Sequence, residues 1–328
     1  MAVPLLSVTD LCVTFTDRRG RRTAAVDEVS FEVEAGETIG LVGESGCGKT
    51  VTSPAVLGLL PRRGVTVSGS VRFEGQELLG LAERDLADIR GRQVAMVFQD
   101  PMTSLNPVLT VGRQLTEVLE RHEGHRRDEA RRAAVALLDS VGIPDAGRRV
   151  HDYPHQLSGG MRQRAMIAIA LACRPSLLLA DEPTTALDVT IQAQILALLQ
   201  ERVVGSHTAL LLITHDLGVV AGLCERVHVM YAGRLVESAV REELFARPRH
   251  PYTAGLLASV PRLDHPRGLP LTPIAGSPRD VIPWPAGCAF APRCPRRVDG
   301  CTGGPPSLLP DGHDVAHLVR CINPAPAR

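Results

Sequence analysis

Of the 36 lysine and arginine residues in this 328-residue sequence only Lys49 is a lysine, and it lies within Gly43-Glu44-Ser45-Gly46-Cys47-Gly48-Lys49-Thr50. Arginine presents a wide planar fork, whereas lysine carries a compact charge on a slim stem. The segment reads G-x-x-x-x-G-K-T, a pattern that turns successive backbone N–H groups inward around a polyphosphate. In such a loop the lysine reaches the β and γ phosphates, and the Thr50 hydroxyl is placed to hold Mg2+. A second candidate is Leu177-Leu178-Leu179-Ala180-Asp181-Glu182, an apolar run that delivers two adjacent carboxylates. Alternate residues of a strand face opposite ways, so the pair can divide the work. Asp181 would hold Mg2+, directly or through water, and Glu182 would polarise the water that attacks the γ-phosphate. Strands that merely end in acidic residues are common, but this one stands behind a phosphate loop.

These groups need a scaffold. Thr38-Ile39-Gly40-Leu41-Val42 is a strand-type run directly before the loop, and Val51 to Leu60 can continue as a helix. Strand, loop and helix together place a helix N-terminus against the anion. Val94 to Phe98 is a further strand, ending at Gln99, and residues 108–175 read as mostly helical, including Asp128 to Val141 with its apolar stripe. Leu177 to Ala180 and Ala209 to Ile213 are buried-type strands that end in polar residues, as parallel strands do at the edge that forms a site. Arg18-Arg19-Gly20-Arg21-Arg22 reads as a hairpin tip and Arg126 to Arg132 as an exposed helix face. From Pro248 to Pro306 proline and glycine become dense and periodicity fades, the mark of a loop-rich appendage. The fold class expected is α/β.

Acidic and basic residues balance at zero formal charge and aromatics make up 3% of the chain, which argues against a nucleic-acid binder built on a basic face or on stacking platforms. No apolar run approaches the ~18–20 residues needed to cross a bilayer. Residues 1–10 lack the basic start and apolar core of a secretion signal. The expectation is a soluble cytoplasmic protein that works at a membrane only as a peripheral subunit.

Leu157-Ser158-Gly159-Gly160-Met161-Arg162-Gln163-Arg164 resembles the signature sequence of ABC-type ATPases. Gln99, Asp181-Glu182, Ala186-Leu187-Asp188 and Thr214-His215-Asp216 follow in the order of that family, so the resemblance covers residues 5–240. It implies a P-loop NTPase core with an inserted helical subdomain, working as a head-to-tail dimer that sandwiches two ATP molecules. In this reading residues Gly43 to Thr50 and Thr52 bind the nucleotide, and Thr50, Gln99 and Asp181 contact Mg2+. Glu182 is the general base, assisted by Lys49 and Gln99, and His215 contacts the γ-phosphate and orients the attacking water. Ser158, Gly159 and Gly160 act on the partner's nucleotide, and Asp188 communicates across the dimer. Phe15 is the candidate to stack on adenine; core packing is its other reading.

Gln99 to Pro107, Tyr153-Pro154-His155-Gln156 and His250-Pro251-Tyr252-Thr253 resemble ATPase subunits of dipeptide, oligopeptide and nickel importers, as does the tail around Gly287-Cys288-Ala289-Phe290-Ala291-Pro292-Arg293-Cys294-Pro295. The resemblance implies ATP hydrolysis that energises uptake of peptides or similar solutes. Its partners are a second ATPase subunit, two membrane permease subunits and, indirectly, an extracytoplasmic binding protein, at the cytoplasmic face of the membrane. The domains expected are 1–247 for the ATPase, with a helical subdomain at about 100–175, and 248–328 for the extension. Four of the eight cysteines, Cys288, Cys294, Cys301 and Cys321, fall in that extension with the spacing C-x5-C-x6-C-x19-C. A reducing compartment disfavours disulfides and makes metal ligation the sharper reading. Relatives with this tail imply a [4Fe–4S] cluster on the four thiolates; a structural zinc ion and no metal are the alternatives.

Overall fold

The computed structural model describes residues 3–185, 187–260, 273–278, 286–312 and 314–326. The first half of the chain forms β1 (Leu6–Thr16), β2 (Arg22–Val33), β3 (Thr38–Val42), α1 (Lys49–Val56), β4 (Val65–Phe73) and β5 (Gln76–Glu77). It continues through α2 (Glu83–Ile89), β6 (Val94–Val97), α3 (Pro101–Ser104), α4 (Val111–His122), α5 (Arg127–Ser140) and α6 (Ala146–Arg149). The second half forms α7 (Gly159–Leu171), β7 (Leu177–Asp181), α8 (Val189–Ser206), β8 (Ala209–Thr214), α9 (Leu217–Leu223) and β9 (Arg226–Tyr231). Last come β10 (Arg234–Val240), α10 (Arg241–Ala246), α11 (Pro251–Ala258), β11 (Leu309–Pro310) and β12 (Leu318–Val319). The chain divides into two compact units. One holds Gly80–Leu212 with Val33–Glu37 and the residues before Leu6; the other holds Leu6–Glu32, Thr38–Leu79 and the chain from Ile213 onward.

The unit built on Gly80–Leu212 is mainly helical. Helix α4 buries Val111, Leu115 and Leu119, and α5 buries Ala130, Ala134 and Leu138. Both follow the four-residue step that puts side chains on one face of a helix. Thr110 starts α4 by accepting the Arg113 N–H at 3.2 Å. These two helices pack on each other and on α7, which lies against β6, the parallel neighbour of β7. Every residue of β7 is buried, so its side chains carry no alternation.

The other unit contains a sheet in the order β2-β1-β4-β5. The arginine-rich segment is the tip between β1 and β2, where Asp17 Oδ1 accepts the N–H groups of Arg19 and Arg21 at 2.8 and 2.9 Å. In the same unit β3 runs parallel to β9, β9 pairs antiparallel with β10, and β12 joins β10 antiparallel. Helix α1 begins at Lys49 and ends at Val56, short of the expected Leu60, because Gly58 takes a left-handed φ of 61°.

Within the proline-rich segment, order comes from ion pairs and hydrogen bonds rather than periodicity. Glu237 of β10 is fully buried and accepts the backbone N–H of Arg249 at 2.6 Å and of His250 at 2.9 Å. Its Oε1 also lies 2.7 Å from His317 Nε2, and Arg249 pairs with Asp311 at 3.3 Å. One carboxylate therefore ties three distant stretches together. Removing one partner of a buried charged network costs far more than the network's net worth. Glu237→Ala is expected to lower unfolding stability by about 3–5 kcal/mol in urea titrations and to open the segment beyond residue 248 to proteolysis.

His228 of β9 is buried, with Nδ1 2.8 Å from the Ser238 hydroxyl. Burial, and then the nearby Arg226 charge, pull its pKa down to about 3. Unfolding restores a value near ~6.5, so between these limits only the unfolded chain takes up the proton. Below about pH 6.5 this residue should cost the native state about 1.4 kcal/mol per pH unit. Urea midpoints of His228→Asn should accordingly fall less steeply from pH 6.5 to pH 5 than those of the unchanged protein.

Candidate functional site

The phosphate loop connects β3 to α1, and its backbone runs too close to its neighbours to tolerate side chains at two positions. A Cβ on Gly43, whose φ is 156°, would sit 2.2 Å from the Met230 carbonyl oxygen; on Gly48, whose φ is 105°, it would sit 2.1 Å from that of Ala25. Only glycine leaves room for both approaches. The Cys47 N–H donates to the Glu44 carbonyl at 3.3 Å, and the Gly233 N–H donates to that of Cys47 at 2.9 Å. Lys49 is 3% exposed and folds back onto the loop, donating to the Gly43 carbonyl at 2.7 Å and the Glu44 carbonyl at 3.0 Å. Its ammonium thus lies within the loop's concavity. Ser45, Gly46 and Thr50 are exposed at the rim. Thr52 is fully buried, with its hydroxyl donating to the Gly48 carbonyl at 3.3 Å.

Cys47 stands at a loop position where only the backbone matters. Its sulfur is buried, 3.7 Å from Lys49 Nζ, and burial pushes the thiol's pKa up. A neutral thiol leaves the lysine charge available for phosphate. Phe15 is half-buried on β1, opposite Val65. His215 follows β8 and is exposed, and the next residue, Asp216, starts α9 by accepting the Gly218 N–H at 2.8 Å.

In the other unit, β7 delivers Asp181 and Glu182 as expected, both buried, with 2% and 7% exposure. Glu182 takes a left-handed φ of 45°. Such a conformation is costly for a non-glycine residue and persists where the surroundings hold it. What holds it is visible: Gln99 Nε2 donates to Glu182 Oε2 at 2.9 Å, and the Thr185 hydroxyl donates to the same oxygen at 2.8 Å. Gln99 and Glu182, named separately from the sequence, are therefore direct partners. Thr185 has no part in the sequence reading, and its signal was a hydroxyl three residues beyond the carboxylate.

The signature segment starts α7. Ser158 caps it by accepting the Met161 N–H at 3.3 Å, and Gly159 and Gly160 are its first two residues. Ser158 and Gly159 are exposed, so the start of the helix is open to solvent. Gly160 is closely packed, since a Cβ there would lie 2.9 Å from Ile191 Cγ2. Asp188 caps α8 through the Ile191 N–H at 2.9 Å, so the two helix starts are neighbours. Ala186 lies outside the described residues. Gln163, which has no role in the sequence reading, is buried and donates to the Pro183 carbonyl at 2.6 Å. That bond joins the signature helix to the turn that carries Glu182.

The extension contributes two residues that sequence reasoning missed, Tyr252 and Arg293; both bond to Glu44 of the phosphate loop. Its four cysteines are free thiols, with Cys301 buried and the others half-buried. Burial raises the pKa of Cys288 and Cys294 and pushes that of Cys321 up to about 11. Among the described residues no group of three or more His, Cys, Asp or Glu side chains is arranged to hold a metal ion. The ligand set expected of a [4Fe–4S] cluster is thus not formed in this geometry.

Residues 26–185 match the ABC transporter family, and residues 236–301 match the family of the oligopeptide/dipeptide transporter, C-terminal region. The chain is 53% identical to the oligopeptide transport ATP-binding protein OppD of Salmonella typhimurium, over 98% of this chain and 94% of that protein. It is 52% identical to the dipeptide transport ATP-binding protein DppD of Bacillus subtilis, over 95% of this chain and 93% of that protein. Among solved structures it is similar to the ATP-binding cassette MJ0796, a dimer in a post-hydrolysis state with ADP and phosphate, with a TM-score of 0.65 and 26% identity. That likeness covers 72% of this chain and 98% of the other. At this identity and coverage the chain belongs to the ABC transporter family, among the ATP-binding proteins of oligopeptide and dipeptide transport.

Proposed function

We propose that this chain is the ATP-hydrolysing subunit of an importer that takes up dipeptides, oligopeptides or similar small solutes. The observation that carries the chemistry is Glu182, a buried carboxylate at the end of a core strand, held in a left-handed conformation by Gln99 and Thr185. A carboxylate fixed in this way can accept a proton from water as the water oxygen attacks the γ-phosphorus and ADP leaves. The phosphate loop supplies N–H donors and the Lys49 charge to the β and γ phosphates. Mg2+, held by Thr50, Gln99 and Asp181, would neutralise charge on those phosphates. His215 orients the attacking water. Ser158, Gly159 and Gly160, at the start of α7, suit the γ-phosphate of ATP bound to a second subunit, with Asp188 linking the two.

The relatives support a second ATPase subunit and membrane permeases as partners. OppD and DppD are named as transport ATP-binding proteins, and MJ0796 was solved as a dimer. Among the described residues no helix is long and apolar enough to cross a membrane, which fits an ATPase that docks on separate permease subunits. Phe98, Met102 and Val108, exposed by 38%, 54% and 75% around Gln99, suit contact with their cytoplasmic helices. In this reading residues 1–247 are the ATPase domain, with a helical subdomain at about 100–175, and 248–328 are the extension. Phe15 stacks on the adenine.

We also propose that Cys288, Cys294, Cys301 and Cys321 take up a [4Fe–4S] cluster, which would require the four thiols to draw together from the arrangement seen here. Backbone donors support it: the N–H groups of Arg296, Val298 and Asn323 approach the sulfurs of Cys294, Cys301 and Cys321 at 3.4, 3.5 and 3.4 Å. Such bonds stabilise thiolates.

In complexes reconstituted with permeases, Glu182→Gln should retain ATP binding and lose turnover by roughly 10²–10⁴-fold. Undiminished hydrolysis and peptide uptake in that variant would remove the assigned base. Anaerobically purified protein should absorb broadly near ~400 nm and contain iron. Colourless protein with stoichiometric zinc, or without metal, rules the cluster out.

A further inference from the structure

Glu44 is the second residue of the phosphate loop, and every polar group it has is engaged within the unit that carries the loop. Its N–H donates to the Tyr252 hydroxyl at 2.8 Å. Its carbonyl accepts from Lys49 Nζ at 3.0 Å and from the Cys47 N–H at 3.3 Å. Its carboxylate is gripped in bidentate fashion by Arg293, Nη1 to Oε2 at 2.7 Å and Nη2 to Oε1 at 3.0 Å. The two distant partners, Tyr252 and Arg293, lie 208 and 249 residues further along the chain.

Arg293 is built for this position. The guanidinium has five N–H donors, and five bonds are present. Besides the two to Glu44, Nε donates to the Ala275 carbonyl at 2.8 Å, Nη2 to that of Gly276 at 3.0 Å, and Nη1 to the Tyr231 hydroxyl at 3.4 Å. Its side chain is 4% exposed. The guanidinium carbon stands 5.8 Å from the Tyr231 ring centre and 5.9 Å from that of Phe290. These rings pack with Tyr252, at centre separations of 4.7 Å for Tyr231–Tyr252 and 5.4 Å for Tyr252–Phe290. An arginine held on all sides does not follow the loop; the loop is held to it.

We infer that Arg293 is a positioning residue for ATP: by clamping Glu44 it fixes the phosphate loop in its binding conformation and cancels a negative charge that would repel phosphate. Both effects act on affinity rather than on the chemical step. A loop left to order on binding loses affinity roughly 5- to 30-fold, the equivalent of fixing the backbone of about one residue. The uncompensated carboxylate of Glu44, 27% exposed, would add repulsion at low salt. Arg293 lies between Cys288 and Cys294, so the cysteine segment is mechanically joined to the nucleotide site.

This inference rests on the ATPase reading, and a double-mutant cycle separates the two. Binding of a fluorescent ATP analogue and saturated turnover are measured on the full chain with Arg293→Ala, Glu44→Ala and both. The expected result is a 5- to 30-fold weaker dissociation constant for Arg293→Ala at low salt, with turnover at saturation within about twofold. In the Glu44→Ala background the same change should matter less than about twofold, because its target is gone. Arg293→Lys keeps the charge but loses the fork, and should fall between the two; it also serves if Arg293→Ala does not fold. Unchanged affinity in Arg293→Ala, or an equal loss with and without Glu44, would overturn the inference. Absence of nucleotide binding by the unaltered chain would instead overturn the ATPase reading itself.

Discussion

A loop that binds polyphosphate with its own backbone must be held from behind, since side chains at its closest approaches would collide with the strands that support it. Gly43 and Gly48 meet the carbonyls of Met230 and Ala25 at distances that exclude a Cβ, so the loop cannot anchor itself with side chains there. The restraint has to come from elsewhere. Lys49 closes the loop from inside through the carbonyls of Gly43 and Glu44, and Tyr252 with Arg293 hold Glu44 from outside. Ordering then precedes ligand arrival, and binding energy need not be spent on it.

The carboxylate pair in the other unit obeys a similar rule. Glu182 occupies a backbone region that costs of order 1–3 kcal/mol for a non-glycine residue. Gln99 and Thr185 bond to its carboxylate, and Gln163 of the signature helix bonds to the next peptide, at Pro183. The helix that would address one phosphate is thereby fixed to the turn that would address the attacking water. Coupling of this kind requires no moving relay, only a shared rigid support.

Much of this arrangement was legible because it repeats short-range rules. The loop pattern, the strand before it, the arginine-rich hairpin tip between β1 and β2 and the four-residue stripe of α5 are all local signals, and each appears where expected. Helix α1 ended early for a local reason too, the turn at Gly58. The extension is different. Its order depends on Glu237 reaching the backbone of Arg249 and His250 and the ring of His317, and on Arg293 reaching Glu44. No period or spacing encodes a bond between residues 249 positions apart. Tyr252 and Arg293 lie in segments that resemble importer ATPases, yet only the folded chain shows that both bond to Glu44.

The single lysine gains a physical reason from the same geometry. Lys49 sits 3% exposed between two carbonyls of its own loop, with the Cys47 sulfur 3.7 Å away. A guanidinium there would bring a planar fork and five donors into a space that presents two carbonyl acceptors. Arginine suits Arg293, where five acceptors surround the fork, and it fails at residue 49 for the complementary reason. Both cations bond to Glu44, one holding its carbonyl and the other its carboxylate. The chain, whose other basic residues are all arginine, thus divides the roles by shape: the fork for the fixed scaffold, the point charge for the group enclosed by the loop.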